Sequence, residues 1–410
     1  MNALRRRTAL QLLGLSGLAW SLPLSGCEQG DAQMASSDVP RAPQGDLVRS
    51  TLTPFAARLL DALPRGNAVM SPSSVAVVLA MLGNGAATTT RAELDKVLGS
   101  PVDALNVELN GLAQRLVALA GQKGTEVTFW NALWLQTDTT WQQPFLDALM
   151  RWYGAGARLA DFIHDPATAV TSINSWCEQA TKGLIPSIVD RSMITTDTRV
   201  VAGNAVRIKG DWAAPFEPSF TRRQAFRTGS GTQVEVDMMH GMPYVRYLRT
   251  ASLTSVSLPF RQEDLAFVVA LPADDRSLAL APLSDLSAVL DGDRTELNLA
   301  LPKFHAELAQ PLKEPLTKLG LVDAWKPGVA DFSAISGDRS LNLDFVQHKA
   351  VLKVDEKGAE GAAVTAGGAT ATALPALTVM VDRPFFWAVA HVPTRSLVML
   401  GRQEDPTRVG

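Results

Sequence analysis

The nineteen residues from Gly358 to Ala376 (Gly-Ala-Glu-Gly-Ala-Ala-Val-Thr-Ala-Gly-Gly-Ala-Thr-Ala-Thr-Ala-Leu-Pro-Ala) constrain this chain more than any other feature. They hold one charge, no aromatic ring and almost nothing larger than valine. Strand-like patterns end near Asp355 and resume near Leu377. A loop this long inside a compact domain is either functional or disordered, and composition alone fits a disordered Gly/Ala/Thr linker equally well. Alternation favours function. Counted by twos, Ala359, Gly361, Ala363, Thr365, Gly367, Ala369 and Ala371 are all small and uncharged, and the single charge, Glu360, falls on the other face. Successive strand residues point to opposite faces of a sheet, so one face of this ribbon could slide over a packed interior without clashes. The segment is suited both to a solvated loop and to the middle strand of a sheet.

The chain around it changes period. Phe55, Leu59, Leu60 and Leu63 share a helical face that Pro64 ends. Ser71-Pro72 places a capping hydroxyl before a proline suited to the first helical position, and Val75, Val78, Leu79 and Leu82 follow on one face. Thr90-Arg91-Ala92-Glu93 fits a capping box, with Gly99 at the end of that helix. Further helical stretches fall near 141–152, 170–181 and 312–319. Runs at 127–135, 201–208, 265–271, 297–301 and 346–354 read as strands. With no repeat and no convincing linker after residue 50, these form one α+β domain over 51–410.

The N-terminus is a separate matter. Arg5, Arg6 and Arg7 precede an apolar run from Thr8 to Leu24, then Leu24-Ser25-Gly26-Cys27. Basic residues, a short apolar stretch and small residues before a cut describe an export signal over 1–26. The run is short for a membrane span, which needs about 20 apolar residues. The last four residues are similar to a bacterial lipobox, which implies lipidation of Cys27; an ordinary signal peptide with an incidental cysteine is the alternative. The arginine pair permits twin-arginine as well as general export. Residues 27–50, polar and Gly/Ser/Pro-rich, read as a flexible tether. Glu28 and Gln29, with no Asp after the lipidated cysteine, favour the outer membrane or cell surface. Release to the extracellular space is the other outcome of export.

Much else is excluded. A net charge of −3 with dispersed Lys and Arg argues against a nucleic-acid surface. The five histidines form no His-Glu-x-x-His pair, no Walker loop is present, and no metal or cofactor is implied. Cys177, in a helical pattern, reads as a buried core thiol, and no disulfide with Cys27 is expected.

Several segments in fixed order carry a resemblance to a known family. These are Asn67 to Gly83, Ile173-Asn174 to Gly183, Asn204 to Trp212 with Pro215-Phe216, Val236-Asp237-Met238-Met239, Leu301-Pro302-Lys303-Phe304, Leu319-Gly320-Leu321, Val346 to Ala363, and Arg383-Pro384-Phe385-Phe386 to Gly401. Over nearly all of residues 51–406 the chain resembles the serpins. The resemblance implies a kinetically trapped α+β fold with three β-sheets, about eight or nine helices and an exposed reactive-centre loop. It implies no enzyme but a monomeric suicide substrate. A serine protease cuts the loop, which inserts into the large sheet while the protease is still acylated. About 14 new ladder residues, at roughly 0.5–1.5 kcal/mol per hydrogen bond, supply on the order of 10 kcal/mol. They span about 50 Å, the distance the protease is carried.

Roles follow from the same resemblance. Gly358, Ala359, Glu360, Gly361, Ala362 and Ala363 match the hinge that enters first. Ser71, Ser74, Asn204 and His348 match a polar group beneath the sheet that governs strand separation. Trp212, Lys303 and Glu356 match the top of the sheet, where insertion begins and where the last two pair. Spacing from Glu356 puts the scissile bond at Thr372-Ala373; counting back from Pro384 gives Ala373-Leu374, because this loop is one residue longer than is common. Either bond implies a protease with a shallow pocket for small residues, elastase-like or subtilisin-like. Ala359 and Gly361 depart from the commonest hinge residues but stay small; charge, proline or bulk at the hinge marks the non-inhibitory members. A binding or chaperone-like serpin, cleaved without trapping, is the rival reading, and an envelope hydrolase a distant third.

Overall fold

A computed structural model describes residues 34–35, 38–154, 157–273, 286–359 and 377–409. Eight α-helices occur among them: α1 (Thr53–Ala62), α2 (Pro72–Gly83), α3 (Thr88–Leu98), α4 (Val102–Ala118), α5 (Gln143–Tyr153), α6 (Pro166–Ala180), α7 (Lys313–Leu319) and α8 (Ser333–Ser336). Helix α2 is apolar on every side and every residue of it is buried, as a helix without a polar face must be. The Ser71 hydroxyl accepts from the Ser74 amide at its start, the cap that Ser71-Pro72 suggests. The capping box at Thr90 does not form. Helix α3 begins two residues earlier, and both side chains serve tertiary contacts: the Thr90 hydroxyl accepts from the Asp331 amide, and Glu93 accepts from the Val322 and Asp323 amides.

The early strands are β1 (Met34–Ala35), β2 (Ala68–Met70), β3 (Thr125–Gln136), β4 (Ala157–Ala160) and β5 (Val200–Asp211). Then come β6 (Arg222–Arg227), β7 (Gln233–Gly241), β8 (Tyr244–Arg249), β9 (Leu253–Pro259), β10 (Leu265–Pro272), β11 (Arg294–Glu296), β12 (Asn298–Pro302) and β13 (Phe304–Pro311). The last are β14 (Gln347–Val354), β15 (Gly358–Ala359), β16 (Thr378–Met380), β17 (Phe385–His391) and β18 (Ser396–Gln403). They build three sheets. The large one runs β1-β4-β3-β5-β15-β14-β13, the second β11-β8-β9-β10-β17-β18-β2, and the smallest β16-β12-β7-β6. This is the expected α+β architecture.

Alternation along the large sheet sorts its side chains into two layers. Phe129, Leu133, Val206, Ile208, Ala350 and Leu352 enter the main core with α1, α2 and the second sheet. Ala132, Trp134 and Val201 face the other way, into a smaller cluster with Ala169 and Ile173 of α6. Helix α6 therefore lies across the face of the large sheet away from the main core.

The polar composition of 27–50 suggests a tether, but from residue 38 the described chain lies against the domain as a strap. The Ala42 amide donates to the Arg151 carbonyl (2.7 Å), and Asn110 and Gln114 of α4 donate to the Pro43 and Ala42 carbonyls. Farther on, Ser50 and Thr51 give their hydroxyls to the buried Glu108 carboxylate. Much of the strap is held through its own backbone groups, which composition does not reveal.

Candidate functional site

Strand β14 ends at Val354, and the chain reverses through a turn in which the Asp355 amide donates to the Gly358 carbonyl (3.0 Å). It returns as β15, antiparallel to both neighbours, with Ala359 opposite Val354 on one side, and Gly358 and Ala359 opposite Asp211 and Gly210 on the other. Among the described residues, β5 and β14 are joined within the sheet only through this two-residue wedge. A Cβ on Gly358 would stand 2.0 Å from the Gly210 carbonyl oxygen, so only glycine fits. Ala359 is wholly buried. Sequence patterns end the strand near Asp355 and open the loop at Gly358; instead, Gly358 and Ala359 already lie in the sheet, because Gly358, with no side chain, can lie hard against the Gly210 backbone, while the missing Cβ of Gly210 leaves room for the Phe260 ring.

Above the wedge, Trp212 is buried and stacked on Phe260, with ring centroids 5.0 Å apart. Its indole donates to the Asp355 carbonyl (2.9 Å) and its amide to the Lys357 carbonyl (2.8 Å), which fixes the turn. Lys303 and Glu356 approach to 3.0 Å, and the Thr221 hydroxyl donates to the same carboxylate. Burial alone would raise the Glu356 carboxyl; hydrogen bonds, those of Lys303 and Thr221 among them, bring it below its ordinary value. The glutamate is only 13% exposed, so the pair is less solvent-screened than a surface ion pair.

On the core side of the sheet, the structure brings Ser71, Ser74 and His348 together. The Ser71 amide donates to His348 Nε2 (3.1 Å), the Ser71 hydroxyl donates to the Val398 carbonyl (2.6 Å), and Ser74 Oγ donates to Ser71 Oγ (2.6 Å). The imidazole must be neutral to accept at Nε2, and burial lowers its pKa to about 4. The Asn204 backbone pairs with Asn131 in β5 and β3; its side chain lies outside the described residues.

On the opposite face, Glu126 of β3 takes Lys182, just beyond α6, at 2.6 Å and Arg207 of β5 at 2.5 Å. Hydrogen bonds from Lys182 and then Arg207 hold its carboxyl at about 2. Cys177 and Ile185 pack on Val351 of β14. Burial pushes the Cys177 thiol up to about 12, as for an inert core thiol.

Cys27, Glu360, Gly361, Ala362, Ala363, Thr372, Ala373 and Leu374 lie outside the described residues. Thr221, Phe260 and Gly210 join the site without having been singled out in the sequence. Phe260 sits beside the proline that ends β9 and shows its role only through the stack; Gly210 could have been noticed as a glycine interrupting a strand pattern. Among the described residues no group of three or more His, Cys, Asp or Glu side chains gathers as for a metal ion.

The family described as Serpin (serine protease inhibitor) matches residues 50–406. A leukocyte elastase inhibitor of Bos taurus is 30% identical over 360 residues, covering 84% of this chain and 94% of its own length. Native protease nexin-1, solved with heparin, is 27% identical with a TM-score of 0.72, over 86% of this chain and 96% of that one. The thermophilic serpin tengpin in its native state superposes with a TM-score of 0.81 at 24% identity, over 92% of this chain and all of that one, and speaks for the fold alone.

Proposed function

The chain belongs to the serpin family, typically non-enzymatic inhibitors, and on that premise we propose that it traps a serine protease by inserting its cleaved loop between β5 and β14. The observation that carries this is the wedge. Gly358 and Ala359 already occupy the top of that seam, and the residues that would follow Ala359 on its face, Gly361, Ala363, Thr365, Gly367, Ala369 and Ala371, are small and uncharged. Continued insertion needs no change of register, only more of the same ribbon. Ser71, Ser74, Asn204 and His348 would regulate strand separation from the core side, and Trp212, Lys303 and Glu356 would hold the seam at its top until the loop is cut.

The scissile bond is Thr372-Ala373, or Ala373-Leu374, and the target is a protease with a small apolar specificity pocket. The small residue before either bond supports this, as does the likeness to a relative named for inhibition of leukocyte elastase. The lipobox-like Leu24-Ser25-Gly26-Cys27 behind a basic, apolar leader supports export and lipid attachment at Cys27, on the outer membrane or cell surface.

A soluble domain incubated with elastase should give an SDS-stable complex, with mass spectrometry placing the cut at residue 372 or 373. A cleaved band without complex would assign the protein instead to the binding or chaperone-like serpins.

A further inference from the structure

Three rows of backbone pairing align the two ends of the mechanism. Met34 of β1 pairs with Arg158 of β4, Arg158 with Trp134 of β3, and Trp134 with Val201 of β5, so all four stand at one level of the large sheet. The wedge pairs with β5 at Asp211 and Gly210, ten residues, or about 33 Å, from that level. The chain therefore leaves the fold towards Cys27 at the end of the sheet remote from the wedge.

The pairing of Gly358 with Asp211 and Ala359 with Gly210 also fixes where an inserting loop goes. Continued in that register, Gly368 comes opposite Val201, level with Met34, and Thr372 opposite Asp197, about 13 Å further on. A protease acylated at Thr372 would thus be delivered to the end of the sheet from which the anchor departs. Four strand spacings, about 19 Å, separate β1 from the seam.

The strap determines how much room is left there. Were residues 27–50 free, they would span up to about 80 Å; with β1 paired and 38–51 bonded along α4 and α5, Cys27 is only seven residue steps from Met34, at most about 23 Å. A protease of roughly 230 residues is about 45 Å across. It does not fit between the bilayer and this end of the sheet unless the whole domain tips.

We propose that the lipid anchor is a brake on trapping: on the membrane the short tether obstructs the last part of insertion, and release of the domain removes the obstruction. This rests on the inhibitory and lipoprotein readings above. Slowed insertion leaves the acyl-enzyme exposed to water for longer, so the anchored chain is consumed as substrate more often than the free one.

The test uses the full-length lipidated chain in phospholipid vesicles, titrated with elastase, and reads the ratio of SDS-stable complex to cleaved product. Beside it run the soluble domain beginning at Glu28 and a lipidated variant with a twenty-residue Gly/Ser insertion between Gln29 and Gly30. The vesicle-bound chain should give at least three-fold less complex per cleavage than the soluble domain, and the long-tether variant should recover most of the difference. Equal ratios in all three, or no recovery with the longer tether, overturn the brake alone. No complex from the soluble domain overturns the inhibitory reading and the brake with it. Vesicle flotation no better than that of Cys27→Ala overturns lipidation, and again the brake.

Discussion

His348 and His391 are both buried, and burial lowers each pKa to about 4, while the Asp264 carboxylate acts on His391 in the opposite direction. A histidine in the unfolded chain takes its proton near pH 6.5. Above that pH neither residue distinguishes the two states; between 6.5 and 4 the unfolded chain binds a proton that the native one refuses, so stability falls as pH falls through this window. The loss approaches about 3 kcal/mol for each residue by pH 4. The urea midpoint should therefore drop between pH 7 and pH 4.5, and His391→Gln should reduce that drop by roughly half. An unchanged pH slope in the variant would assign the loss to other groups. His348 also ties β14 to α2, because its Nε2 accepts from the Ser71 amide at the start of that helix. The resemblance named Ser71, Ser74 and His348, but the direction of the bonds was not legible: it depends on a backbone amide and on the Val398 carbonyl, 327 residues from Ser71.

At the scale of elements, the long apolar strands and buried helices were legible because a single property, burial on one face or on both, decides them. Strand β10 is buried at every residue and reads directly from its unbroken apolar run. Strand β6, Arg-Arg-Gln-Ala-Phe-Arg, is different: an edge strand of the smallest sheet with one buried side chain, held by its ladder with β7 rather than by its pattern. The strap escaped for the same reason. The wedge was legible as a ribbon able to enter a sheet but not as one already begun, because its place depends on Gly358 lying against the Gly210 backbone, which belongs to a strand about 150 residues earlier in the chain. Ala359 occupies that place with no exposure at all, so Ala359→Arg should expel β15 and turn an inhibitor into a substrate. On a gel with elastase, the SDS-stable complex should fall at least ten-fold while cleavage persists; undiminished complex would count against insertion through this seam.

At the scale of the whole molecule, β5 and β14 are bridged within the sheet, among the described residues, only by a two-residue wedge. Completing it adds hydrogen bonds worth on the order of 10 kcal/mol. The chain cut in its loop should accordingly melt roughly 10–15 °C above the intact one, and equal melting curves would mean that the ribbon stays outside. Helix α6 sets a condition on this change. Beyond its C-terminus Lys182 grips Glu126 on the β3–β5 side, while Cys177 and Ile185 rest on Val351 of β14. The helix is thus a cross-brace nailed firmly to one plank and merely leaning on the other. On the proposed opening, Val351 would slide from under Cys177 with no ion pair described between them to break, and the thiol now sealed there would become a clock that starts when the planks part.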